Sequence, residues 1–61
     1  MTDSPSRFKL ANAAFRAQNY AAAIDLYEAA LAEEPSIGDS IRFNLELARS
    51  RLNAANHNSA N

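Results

Sequence analysis

Sixty-one residues carrying six Lys/Arg against seven Asp/Glu, for a formal net charge of −1, make one small domain at most. That balance argues against sequence-independent nucleic-acid binding, which draws on a large basic excess. The absence of cysteine removes disulfides and thiolate metal sites as sources of stability, and no apolar run approaches the ~18 residues of a membrane span.

A chain this short buries a limited share of its surface, so help from self-association, a partner or an adjoining domain is expected. The opening MTDSPSR lacks a signal-peptide core, which makes a cytoplasmic location the default expectation.

Asp3-Ser4-Pro5 reads as a helix start, a polar cap followed by a proline whose missing N–H is harmless there. A first helix is predicted from about Pro5 to Gln18. Asn19 breaks it and can cap a second helix, predicted from about Tyr20 to Glu33 and stopped by Pro35, because the residue before proline avoids the helical region. Ser36-Ile37-Gly38 is expected to form a turn holding the only glycine. Asp39 or Ser40 then caps a third helix running to about Asn53. The remainder, AANHNSAN, is small and polar and reads as a frayed tail or linker, giving a helical domain over 1–53 and a tail over 54–61. Connections this short favour antiparallel neighbours, and the fold class is all-α, an antiparallel three-helix unit in which the third helix packs as a cap.

The apolar pattern holds more than one core requires. Tyr20, Ala23, Ile24, Tyr27, Ala30 and Leu31 form one stripe of the second helix, and alanines at 11, 14, 23 and 30 shorten the side-chain layer so that backbones can approach. In the first helix Leu10, Ala13, Ala14 and Ala17 share a face, with Phe8 and Phe15 nearly opposite. In the third, Ile41, Leu45, Ala48 and Leu52 share a face, with Phe43 and Leu47 pointing roughly the other way. The second helix can cover only one face of each, so the phenylalanines and Leu47 read as a contact surface, the alternative being that they close the core. Tyr20 and Tyr27 read as core aromatics with hydroxyls reaching water.

Charge is sorted as well. Asp25, Glu28, Glu33, Glu34 and Asp39 are the only charges between Ile24 and Asp39. Arg7, Lys9 and Arg16 sit on the first helix, and Arg42, Arg49 and Arg51 on the third, against a single Glu46. His57 has no second ligand at metal spacing, and Glu33-Glu34 diverge on a helix rather than forming an acid/base dyad. No cofactor, metal or catalytic residue is expected, and the chain reads as a non-enzyme.

Leu10-Ala11, Tyr20, Ala23 followed by Tyr27, Ala30-Leu31 and Pro35 resemble, in register, the pattern of a tetratricopeptide repeat, a 34-residue helix-turn-helix unit. Arg7 stands at that pattern's Trp position, and Ala14 where it has Tyr, with Phe15 one residue later. Ile41 to Ala48 look like the start of a second repeat, so the resemblance covers about residues 4 to 52. It implies a concave groove lined by Phe8, Asn12, Phe15 and Arg16 from the first helix and by Phe43, Asn44, Leu47 and Arg51 from the third. Asn12 and Asn44 look like the asparagines with which some members grip a peptide, the alternative being solvated surface amides. Phe8 stands where a carboxylate clamp would have lysine, so an apolar groove with a basic rim fits better.

The functional expectation is a non-catalytic protein–protein interaction module. It would bind a protein or peptide on the first and third helices, or self-associate as a homodimer or higher homo-oligomer, without nucleic acid or membrane. One alternative is an N-terminal segment of a larger bacterial enzyme such as a glycosyltransferase, to which the first and third helices together look similar. A remoter one is a three-helix DNA reader using Arg42, Arg49 and Arg51.

Overall fold

A computed structural model describes residues 6–59 of the chain, with side chains over 6–55. It is all-α: α1 spans Arg7–Arg16, α2 Tyr20–Glu33 and α3 Gly38–Ser59, with a single 3-10 turn at Pro35–Ile37 between α2 and α3. No described helix is long and apolar enough to cross a membrane.

The start of α1 is capped by Ser6, whose Oγ accepts the Lys9 backbone N–H at 3.2 Å. The expected Asp3-Ser4-Pro5 signal lies outside the described residues. The helix ends at Arg16, two residues before the expected Gln18, because Gln18 turns left-handed at φ 65°. The Gln18 N–H then reaches the Phe15 carbonyl at 2.9 Å and the Asn19 N–H the Ala14 carbonyl at 2.9 Å, a Schellman closure with glutamine in the position that usually falls to glycine.

α2 occupies the span its punctuation predicts. Asn19 precedes it, but the Asn19 side chain makes no cap bond; its carbonyl alone enters the helix, accepting from the Ala23 N–H at 3.0 Å. Glu34, held extended before Pro35, still donates its N–H to the Ala30 carbonyl at 2.8 Å, and the chain tightens into the 3-10 turn.

Gly38 corrects the expected turn. It is the buried first residue of α3 with ordinary helical angles, and an added Cβ would lie 3.3 Å from Leu31 Cδ1. The glycine therefore serves close approach, and Asp39 sits in the first turn instead of before it. At its other end α3 runs to Ser59, through residues expected to fray after Asn53; consecutive alanines and the lack of any Gly or Pro there leave nothing to stop a helix.

The core is built from Ala11 of α1, Ala23, Tyr27 and Ala30 of α2, and Ile41, Leu45 and Ala48 of α3. Four of these seven are alanine, so backbones approach closely around two large side chains, Tyr27 and Ile41, and α2 packs against both other helices. α3 buries the stripe its periodicity indicates, with Leu52 half-buried below it. α1 does not follow the wheel. The residues it packs on the core are Phe8, Ala11, Ala14 and Phe15; of the expected face only Ala14 is among them, while Leu10 is 40% exposed and Ala13 and Ala17 are exposed. Phe8 and Phe15 are half-buried against the core, not on its far side, since two rings bury more apolar area than one leucine among alanines.

Candidate functional site: the groove between α1 and α3

α1 and α3 both lean on α2, and their side chains meet across a groove floored by Tyr27. Two hollows open along it. The narrower, about 150 Å³, is lined by Asn12, Phe15, Arg16, Tyr27, Asn44 and Leu47. The wider, about 530 Å³, is lined by Phe8, Asp39, Ser40, Phe43 and Asn44. Asn44 borders both, so they form one continuous depression.

The aromatic walls are braced from α2. Phe8 tilts against Tyr27 with ring centroids 6.1 Å apart, and Phe15 meets Tyr20 edge-on at 5.2 Å. Arg51 reaches across from α3 to place its guanidinium carbon 5.8 Å from the centre of the Phe15 ring. Phe43 has no such support and is 69% exposed, the most exposed large apolar residue described.

Beneath the groove lies a polar triangle. The Tyr27 hydroxyl donates to Asn12 Oδ1, which also lies 3.4 Å from the donating Asn44 Nδ2. This corrects the expectation that the Tyr27 hydroxyl reaches water: the tyrosine is 1% exposed, and its bond ties α2 to α1. Burial raises the Tyr27 pKa, opposed by the Asn44 amide and the charge of Arg16. The asparagines are half-buried linkers between α1 and α3, not free surface amides, and no buried side-chain polar atom among the described residues lacks a partner.

The cations divide into two groups. Arg7 pairs with Glu33 at 3.6 Å, Arg42 with Asp39 at 3.7 Å, and Arg49 with both Glu28 at 3.0 Å and Glu46 at 3.1 Å. Lys9, Arg16 and Arg51 enter no ion pair among the described residues; of these Arg16 lines the narrow hollow and Arg51 lies over the Phe15 ring beside it. The charge sorting read from the sequence is thus partly spent on fastening: Arg7 and Arg49 join the basic outer helices to the acidic α2. Exposed at about half of each side chain, these pairs contribute little individually.

Seven of the eight residues assigned to the groove line the two hollows, Phe8, Asn12, Phe15 and Arg16 from α1 and Phe43, Asn44 and Leu47 from α3, while Arg51 lies over the Phe15 ring and lines neither. Tyr27, Asp39 and Ser40 also line the hollows and were not singled out. A tyrosine rather than phenylalanine in the α2 stripe was the available signal for the first. The described side chains stop short of His57. The chain matches no protein family model, no characterised protein and no solved structure.

Proposed function

We propose that this chain is a non-catalytic interaction module of tetratricopeptide-like design, which docks a polypeptide segment in the groove between α1 and α3. The observation carrying this reading is the depression itself: aromatic walls, a satisfied amide floor and two guanidiniums that pair with no acid among the described residues. Apolar walls supply affinity through buried area, while Arg16 and Arg51 select for acidic side chains and speed encounter. The register of Leu10-Ala11, Ala23, Tyr27, Ala30 and Pro35, with alanines where helices touch, supports the repeat-like design.

The test uses fluorescein-labelled eight-residue peptides combining one Phe with zero to three Asp, titrated with the whole chain. Affinity should rise with Asp number and fall with salt. Phe43→Ser combined with Leu47→Ser should weaken binding at least tenfold while helical circular dichroism is retained. Binding indifferent to both substitutions, or none by protein that sedimentation shows to be monomeric, would remove the groove as the docking surface.

A further inference from the structure

The groove is electrically two-ended. Asp39 and Ser40 edge the wide hollow, Arg16 edges the narrow one with Arg51 beside it over the Phe15 ring, and Asn44 borders both. Arg42 lines neither hollow but stands at the wide end through its 3.7 Å pair with Asp39, a pair that a second copy's arginines would replace. Between the ends lie rings and aliphatics, with Phe43 projecting as a knob beside the wide hollow. A surface with an acid at one end, bases at the other and both a knob and a hollow between them matches its own copy turned end over end. Isologous association requires that property, since under a two-fold axis each patch must meet itself reversed.

We propose that the occupant of the groove is a second copy of this chain, docked antiparallel about a two-fold axis near Asn44. Each Phe43 enters the other copy's narrow hollow against Phe15 and Leu47, and each Asp39 meets the other copy's Arg16 and Arg51. The proposal rests on the groove reading above and names its partner. The narrow hollow, about 150 Å³, has room for one aromatic side chain. Asp39 is free to exchange partners: its bond to Arg42 is long, at 3.7 Å, and its side chain fully exposed. Both contacts occur twice in the dimer.

Sedimentation velocity of the whole chain from about 10 µM to 1 mM reads the association directly. The wild type should pass from monomer to dimer, with the midpoint moving to higher concentration as salt rises. Phe43→Ser should raise that midpoint at least tenfold. Asp39→Arg and Arg51→Asp should each do the same alone, and an equimolar mixture of the two should associate again. In the mixed dimer the arginine introduced at position 39 of one copy faces the aspartate introduced at position 51 of the other. The native Asp39 and Arg51 face each other across the second contact, so both contacts return. Circular dichroism of each variant checks that the helices persist.

A wild type monomeric at 1 mM overturns the proposal, and so does a mixture no more associated than its components. If the monomer still binds Phe/Asp peptides in a Phe43-dependent way, the groove reading survives and only the second copy is lost. If neither association nor peptide binding occurs, both fall.

Discussion

The hydroxyl of Tyr27 donates to Oδ1 of Asn12, a side-chain bond between α1 and α2 made under the floor of the groove. Tyr27→Phe keeps the packing against Phe8 and deletes only the bond, at an expected cost of about 1 kcal/mol in urea unfolding. Tyr27→Phe combined with Asn12→Ala should cost less than the two substitutions summed, because they share one interaction. Strict additivity would show that the bond carries no weight.

The same hydroxyl makes stability fall at alkaline pH. Burial holds the folded pKa of Tyr27 above the unfolded value near 10, so the folded state keeps its proton where the unfolded state has lost it. The contribution of the neutral phenol is fully present below the unfolded pKa and is lost as pH climbs through the folded one. Thermal melts from pH 8 to about 11 should therefore show the gap between wild type and Tyr27→Phe closing at the top of the range. A gap independent of pH would contradict a phenol whose ionisation is opposed by folding.

How much of this could be read from residues alone differs helix by helix. α2 was legible to the residue, since Asn19 and Pro35 punctuate it on both sides. The hollows between α1 and α3 are lined by residues the sequence had placed on the far faces of those helices, Phe8, Phe15, Phe43 and Leu47 among them. The facing of α1 was not legible. A ten-residue helix with apolar stripes at 8/11/15 and at 10/13/17 offers two equivalent answers, and only the tyrosines waiting on α2 choose the ringed one. Tyr27's role was hidden for a related reason: in a one-dimensional pattern its apolar ring is visible and its distant amide partner is not.

Gln18 carries the only left-handed backbone found outside glycine among the described residues, at φ 65°. A side chain there costs about 1 kcal/mol relative to glycine, which tolerates the conformation freely. Gln18→Gly should raise stability by about 0.5 to 1 kcal/mol, or roughly 4 °C in melting temperature for a domain of this size. Gln18→Val should lose at least as much, since a branched Cβ fits the left-handed region worst. Destabilisation by glycine would mean that the Gln18 side chain contributes a contact worth more than the backbone strain.

Ala23 is fully buried at the meeting of the three helices, where its small side chain sets how closely they approach. Ala23→Leu adds three carbons with no void to receive them and should cost about 1 to 3 kcal/mol. For a chain of 61 residues that is a large part of the whole, at about 0.05 to 0.15 kcal/mol per residue. The measurement is the urea midpoint; a neutral result would mean the helices sit farther apart than the alanines suggest.

The facing of α1 makes a prediction that separates its two stripes. Phe15 stacks edge-on against Tyr20 at 5.2 Å and carries Arg51 on its ring, whereas Leu10 is 40% exposed. Phe15→Ala should therefore cost about 2 kcal/mol, less than a fully buried phenylalanine because part of its surface is already wet. Leu10→Ala should cost under about 0.5 kcal/mol, since little apolar area is lost and alanine is the better helix former. The reverse order in a pair of urea titrations would place Leu10 against α2 and turn Phe8 and Phe15 outward. It would also dismantle the groove, because the wall opposite Phe43 exists only while those rings lean on the tyrosines of α2.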